Sequence, residues 1–317
     1  MSKIQLPVVI TPTRAELAAR CHRRHFLADI LGKARYVSPS LAMGSVLHMG
    51  FSHLWLERKG VTAPHWSEAI KKEFEVQKVE DDGKNTIQLA QAMMENYEKE
   101  ALIAGPLSNQ GNFSVVDVEQ RFELPLKDIM LSFQMDRVVY DKDQDWMIIV
   151  DSKTAARLDS KWDRQWETSI QMKLYRAGAR QVFGHVGRLD IVVEGVLKHV
   201  PSDIRYFVCP EWSDGLLAEA MHNAYVHASM DRDLIEQSLK PSLIIPVQRD
   251  GQDKPETTLV PDQKTLEELA VRYTPVNYFD CYSYGIECPF RRICTSDVDQ
   301  RVTILRGEYF DVKDEGY

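Results

Sequence analysis

The run Met147-Ile148-Ile149-Val150, closed by Asp151-Ser152-Lys153, constrains the fold of this 317-residue chain more than any other stretch. A continuous apolar run has no polar face, so it reads as a strand covered on both sides. A sheet with such a strand needs helices on both of its faces. The residues before the run change period in the way that this requires. Val116, Val118, Phe122 and Leu124 alternate with Asp117, Glu119, Arg121 and Glu123, which is the pattern of a half-buried strand. Leu131, Phe133 and Met135 alternate with Ser132, Gln134 and Asp136. Two further strands are expected over 189–197 and 204–209.

Helical spacing surrounds these strands. Thr13-Arg14-Ala15-Glu16 fits a capping box ahead of a helix carrying Cys21. Leu47, Phe51 and Leu54 share one face of a helix over 41–58. Trp66, Ile70 and Phe74 mark a third helix, and Ile87, Ala90, Met94, Tyr97 and Ala101 a fourth, with a turn at Asp82-Gly83 between them. Helices are also expected over 163–182, 211–237 and 263–273. Residues 239–260, with Pro241, Pro246, Gly251 and Pro255, read as a loop or hairpin. The order predicts an α/β fold: a mixed sheet flanked by helices, preceded by a helical N-terminal region. The regions are 1–110, 111–238 and 239–317, joined as one integrated domain.

Bulk properties narrow the class. Hydrophobic content of 44% and charged content of 27% are ordinary for a globular protein. No apolar run approaches the roughly 20 residues of a membrane span, and no secretory pattern opens the chain, so a cytoplasmic protein without membrane partners is expected. Thiols stay reduced there, and clustered cysteines then point to metal rather than to disulfides. Of five cysteines, Cys21 stands near the start, and Cys281, Cys288 and Cys294 near the end. Cys209 lies in an apolar strand-like run and reads as a bystander. By ligand type, four thiolates hold zinc or an iron–sulfur cluster equally well. The net charge of −8 argues against a protein that coats nucleic acid but leaves local patches open. One patch is Arg20, His22, Arg23, Arg24 and His25; another is Arg291-Arg292. Either could be no more than a solvated helix face.

The strongest chemistry lies at the end of the apolar strand. Asp151 and Lys153 are two residues apart and share a face. Asp136, from the preceding strand, can be brought beside Asp151 by a hairpin pairing. Close carboxylates repel unless a proton or a cation sits between them, and oxygen ligands suit Mg²⁺ or Mn²⁺. Lys153 would offer positive charge to a phosphate or orient an attacking water. Alone, Asp-x-Lys also fits an ordinary surface salt bridge. His48 fits either a further ligand or a helix histidine bonded to backbone. Gln171 and Tyr175, one helical turn apart, share a face. Trp162 and Trp166 fit core packing better than stacking on bases.

Taken in order, Gly44-Ser45-Val46-Leu47-His48, Asp136, Asp151-Ser152-Lys153-Thr154 and Gln171-x-x-x-Tyr175 resemble the RecB-like branch of the PD-(D/E)XK nuclease superfamily. With Cys21 and Cys288-Pro289-Phe290-x-x-x-Cys294, the chain resembles its iron–sulfur subgroup. That subgroup includes CRISPR-adaptation exonucleases, the AddB helicase-nuclease subunit and phage-encoded exonucleases. Met135 stands where relatives often carry proline, and the gap from Cys281 to Cys288 is longer than in several of them. The resemblance implies a restriction-endonuclease-like core and a C-terminal iron–sulfur segment. It implies metal ligation by His48, Asp136, Asp151 and the Ser152 carbonyl, with Lys153 catalytic and Gln171 and Tyr175 supporting. It matches Glu119 to an acidic residue upstream of Asp136. It also implies a 4Fe–4S cluster on Cys21, Cys281, Cys288 and Cys294.

The leading expectation is therefore a Mg²⁺- or Mn²⁺-dependent exonuclease on single-stranded or frayed DNA ends, in recombination, repair or phage DNA processing. A helicase or recombination protein would be its partner, since the chain has no P-loop. The competing expectation is a non-catalytic DNA-end-binding or assembly module of a larger nuclease or CRISPR-adaptation complex.

Overall fold

The computed structural model of the protein describes residues 9–34, 39–79, 83–103, 113–184, 187–241, 259–277, 281 and 287–311. The chain opens with strand β1 (Val9–Ile10), helices α1 (Pro12–Arg20) and α2 (His22–His25), a π-helical turn (Phe26–Ile30) and strand β2 (Lys33–Ala34). Helices α3 (Pro39–Arg58), α4 (Trp66–Val76) and α5 (Ile87–Ile103) come next. They lead into strands β3 (Phe113–Leu126), β4 (Ile129–Asp141) and β5 (Trp146–Ala155). Helices α6 (Ser160–Glu167) and α7 (Ile170–Phe183) connect these to strands β6 (Arg188–Leu197) and β7 (Ile204–Val208). The remainder is helix α8 (Asp214–Ser238), strands β8 (Leu239–Pro241) and β9 (Leu259–Pro261), helices α9 (Gln263–Tyr273), α10 (Arg291–Thr295) and α11 (Val298–Glu308), and strand β10 (Phe310–Asp311).

Two compact units result. One comprises Val37–Pro125 and Leu131–His222; the other comprises Met1–Tyr36, Leu126–Met130 and Asn223–Gly316. In the first, β3, β4, β5, β6 and β7 lie side by side. β4 and β5 are antiparallel, β5 and β6 parallel, and β6 and β7 antiparallel, which makes the expected mixed sheet. The parallel pair needs a crossover, and α6 with α7 supplies it. The apolar run at Met147–Val150 is buried throughout, as a strand covered on both faces should be.

The helices pack tightly enough to aim side chains. Met43, Val46, Leu47, Phe51, Leu54 and Trp55 of α3 join Ile70 of α4 and Met93, Met94 and Tyr97 of α5 in one buried cluster. Each large apolar side chain so buried contributes about 1.5–3 kcal/mol. Gly44 lets α3 approach the end of β5, where a Cβ would stand 3.3 Å from Thr154 Oγ1.

Several local expectations need correction. Thr11, not Thr13, caps α1: its hydroxyl accepts from Arg14 N at 3.2 Å, because Pro12 suits the first helical turn. Cys21 is extended (φ −157°, ψ 104°) and separates α1 from α2, so it is not carried within a helix. The helix expected over 163–182 is two helices. Ser169 breaks it by capping α7, its hydroxyl accepting from Met172 N at 3.3 Å. β8 and β9 pair as a hairpin, while Pro246, Gly251, Pro255 and Asp82 lie outside the described residues. Among the described residues, no distinct C-terminal iron–sulfur segment is evident. Leu266, Ala270, Val271, Ile293 and Leu305 instead share one apolar cluster with Phe26 and Leu27. That burial makes the C-terminal helices part of the second unit's core.

The basic patch around Cys21 is also largely inside the fold. Arg23 donates to Thr274 Oγ1 at 3.2 Å and to the Thr274 carbonyl at 2.9 Å. His22 and His25 are buried against Asp231 at 3.0 and 2.8 Å. These groups answer internal acceptors and do not form a solvated surface.

Candidate active site

The site forms where α3, β3, β4 and β5 meet in the first unit. Arg137 of β4 stands opposite Val150 of β5, and Asp136 and Asp151 are each one residue beyond that pair. Cross-strand neighbours point to the same face, which places both carboxylates together. His48 Nδ1 reaches Asp136 Oδ2 at 3.6 Å from α3. Glu119 joins from β3, and ligand atoms of His48, Glu119 and Asp136 lie within 4.8 Å of one another. Among the described residues, no other group of three or more histidine, cysteine, aspartate or glutamate ligands converges in this way.

Glu119 has a backbone φ of +54°, which few residues other than glycine adopt. The residue lies within β3, and its side chain reaches the ligand group. Its carboxylate accepts from Gln134 Nε2 at 2.6 Å and from the Ser52 hydroxyl. Asp136 accepts from the Ser152 backbone N–H at 2.7 Å. The three candidate ligands are half-exposed, so a cation could reach them.

A second line of contacts runs behind the first. Lys153 Nζ lies 2.8 Å from Asp151 Oδ2 and 3.0 Å from Oδ1. Gln171 Nε2 faces Asp151 Oδ1 at 3.4 Å and donates to the Tyr175 hydroxyl at 3.1 Å. Burial pushes the Asp151 carboxyl above the usual carboxylate range. Lys153 opposes that shift and the charge of Asp136 adds to it. For Lys153, burial is outweighed by Asp151 and Asp136, and its ammonium is held above the ordinary lysine value. Burial, then Asp151 and Asp136, raise the Tyr175 phenol well above 10 and keep it protonated.

The structure therefore brings His48 and Asp136 into one ligand group. It places Asp151, Lys153, Gln171 and Tyr175 in a contiguous chain beside that group. Glu119 completes the ligand group. On the alternation of β3 it belongs to the polar side, and only the family resemblance singles it out.

Beneath Ser152 lies a network with no signal in the motifs. The Ser152 hydroxyl donates to Glu194 Oε2 at 2.8 Å, and the Tyr97 hydroxyl donates to the same oxygen at 2.7 Å. Arg137 Nη2 donates to Glu194 Oε1 at 3.0 Å. Arg137 also donates to Tyr97 through Nη1 at 3.1 Å and lies 4.1 Å over the Trp55 ring. Glu194 and Arg137 are 0% and 2% exposed. A lone glutamate inside Ile191-Val192-Val193-Glu194-Gly195-Val196 was the one available hint. The small cavity at the site is lined by His48, Glu119 and Asp136 together with Arg137, Trp55 and Ser152.

The donor chemistry fits a single hard divalent cation. An imidazole nitrogen with carboxylate oxygens is a set that Mg²⁺ or Mn²⁺ accepts. It does not supply the expected 4Fe–4S cofactor. Cys21, Cys281, Cys288 and Cys294 border one small cavity, but all are free thiols, and among the described residues no three of them converge as the His48 group does. Burial raises the thiols of Cys288 and Cys294, which favours the neutral form over the thiolate that a metal needs. Cys288 packs against the apolar cluster of the second unit, as a small hydrophobic side chain does. The iron–sulfur expectation is thus replaced by a mononuclear histidine–carboxylate site.

The profile of the PD-(D/E)XK nuclease superfamily matches residues 9–295, and the chain belongs to that superfamily. Among solved structures, the chain is similar to a putative exonuclease from Eubacterium rectale. The two are 20% identical, with 73% of this chain and 81% of that one covered, at a TM-score of 0.47. It is similar also to the protein SSO0001, at 12% identity and a TM-score of 0.32, over 72% of this chain and 79% of that one. No curated protein sequence matches. The superfamily and the ligand triad together support a nuclease function in general terms. No helix among the described residues is long and apolar enough to cross a membrane.

Proposed function

We propose that the protein hydrolyses phosphodiester bonds in DNA with Mg²⁺ or Mn²⁺, acting as an exonuclease on single-stranded or frayed ends. The observation that carries the reading is the convergence of His48, Glu119 and Asp136 beside the Asp151–Lys153 pair. The exonuclease form is supported by the RecB-like order of Gly44–His48, Asp136, Asp151-x-Lys153 and Gln171-x-x-x-Tyr175. DNA recombination, repair or phage DNA processing would use such an activity, with a helicase or recombination protein as partner.

In this reading His48, Glu119, Asp136 and Asp151 hold the cation, with the Ser152 carbonyl as a further ligand. When bound, a divalent ion offsets the charge of the phosphate and favours ionisation of an attacking water. The protein's own groups do the positioning. Lys153, 30% exposed at its side chain, presents its ammonium at the rim and can contact a phosphate oxygen without leaving Asp151. Gln171 steadies Asp151, and Tyr175, held protonated, steadies Gln171. Glu194 and Arg137 anchor Ser152, whose N–H orients Asp136.

The test is digestion of 5′- and 3′-labelled single- and double-stranded DNA with Mg²⁺ or Mn²⁺, beside Asp151→Ala. Cleavage from one end, abolished in the variant, is the expected result. Cleavage equal in both proteins would sink the assignment. Binding without cleavage would favour the alternative, a DNA-end-binding module.

A further inference from the structure

A cleft of about 930 Å³ opens at the other end of the crossover, lined by Arg176, Arg180, Arg188, Asp190 and Glu211. Helix α7 links it to the site described above. Tyr175 touches Gln171 beside Asp151, and Arg176 is the next residue. Arg176 and Arg180 are one turn apart on that helix and share a face. Arg188 opens β6, paired with Trp146 at the start of β5. Trp146 is five residues before Asp151, a separation of roughly 17 Å along the strand.

The charges in the cleft are unevenly answered. Asp190 is engaged twice, by Arg188 Nη2 at 2.7 Å and by Trp146 Nε1 at 3.0 Å. Arg188 also lies 4.1 Å over the Trp146 ring. Arg180 pairs at 2.7 Å with Asp214, whose side chain is almost fully exposed, so that pair holds it weakly. Arg176 is different. It is only 3% exposed, its Nε has no hydrogen-bond partner among the described residues, and its guanidinium sits 5.8 Å from the Trp212 ring. A guanidinium keeps its charge in proteins, and burying it is costly; Asp190 and Glu211 offset that charge through space, while Nε is left without an acceptor among the described residues. Its planar fork matches two oxygens of a phosphate.

We propose that this cleft is a phosphate-binding site, with Arg176 as its buried anchor and Arg180 and Arg188 as its rim. A phosphate there would accept from the Arg176 guanidinium where it lines the cleft. It would draw Arg180 away from an exposed partner and leave the Arg188–Asp190 pair in place. The phosphate could belong to the backbone of a nucleic-acid strand or to free inorganic phosphate.

The test uses the full-length protein in EDTA, so that no cleavage intervenes. Fluorescein-labelled dT20 is titrated by anisotropy over a range of salt, and inorganic phosphate by calorimetry. Wild type is compared with Arg176→Gln and with Arg180→Gln/Arg188→Gln. The expected result is about tenfold weaker oligonucleotide binding, with the salt slope reduced by about 0.7 for each phosphate that the variant no longer neutralises. Should only inorganic phosphate binding weaken, the site stands and its ligand is free phosphate. Affinities for both probes unchanged in the rim variant and in any folded Arg176 variant would overturn the proposal. The rim variant keeps the test decisive if Arg176→Gln does not fold. Since neither assay requires cleavage, failure here is distinct from failure of the nuclease reading.

Discussion

Two buried or half-buried polar clusters, one in each unit, were assembled by opposite rules. Around Asp231, the carboxylate meets two imidazoles. His25 Nε2 lies 2.8 Å from one carboxylate oxygen and His22 Nε2 lies 3.0 Å from the other, while His25 Nδ1 meets Asp29 at 2.9 Å. Around Asp136, like charges are brought together. Glu119, Asp136 and the neighbouring Asp151 are answered by Lys153, by neutral donors and by an imidazole. The first arrangement stabilises the fold by itself. The second stores repulsion that a bound cation relieves. Convergent like charge, more than burial or perturbed titration, is what separates a candidate catalytic centre from a structural one.

Substituting one aspartate in each cluster is the sharpest way to break this comparison. Asp136→Asn should lower metal-dependent cleavage by about 10³-fold or more, the scale of losing a main electrostatic element of an active site. Its melting temperature in EDTA should not fall, because a repulsive charge is removed; a clear drop would class Asp136 with Asp231. Asp231→Asn should do the reverse. It leaves His22 buried without a carboxylate and His25 with Asp29 alone, which costs about 3–5 kcal/mol in thermal or denaturant unfolding. Cleavage per folded molecule should stay close to wild type.

A smaller effect tests whether the Glu194 network serves the site or only the core. Ser152→Ala removes one hydroxyl and leaves the Arg137–Glu194 pair intact. Mn²⁺ affinity, followed by electron paramagnetic resonance, should weaken about tenfold, with Ser152→Thr near wild type. Equal affinity in the two variants would make the network a packing feature alone.

The mildest test is pH. Burial alone would lower the His25 pKa, but Asp231 and Asp29 outweigh it and raise it from 6.5 to about 9. A group raised on folding contributes fully below its unfolded value and loses that contribution as pH rises through the folded one. Stability from His25 should therefore decline between about pH 6.5 and 9, and His25→Gln should flatten that slope. His227 has the opposite sense, lowered to about 4 first by burial and then by His22, so it opposes folding as pH falls below 6.5. A wild-type profile that rises from pH 6.5 to 9 would contradict the pairing.

Much of the sheet was legible because period is a local property. The alternation at Leu131–Asp136 and the apolar run at Met147–Val150 name their faces without reference to any other residue. Asp151 and Lys153 followed from strand geometry alone, and so did the shared face of Gln171 and Tyr175 from helix geometry. The helix break at Ser169 was missed because the apolar spacing continues across it, while the cap that ends one helix and starts the next is a single hydroxyl. Glu119 was not legible from the alternation of its strand, and only the family resemblance pointed to it; its positive φ is a conformation that glutamate does not announce.

The cysteines and the basic stretch show the other limit. Cys21 and Cys281–Cys294 have the residue types of a metal site, and Arg23 with His22 and His25 has the composition of a nucleic-acid patch. Their fates were set by distant partners: Thr274 for Arg23, 251 residues away, and Asp231 for His25, 206 residues away. By itself, the sequence determined which segments form strands and helices, which faces are buried and where a carboxylate–lysine pair closes a strand. Only the tertiary structure decided that Glu119 joins His48 and Asp136, that Glu194 anchors Ser152, and that His22, Arg23 and His25 beside Cys21 are spent inside the fold. Burial pattern is written in nearest neighbours, whereas the partner of a buried charge is chosen by packing between segments far apart in the chain.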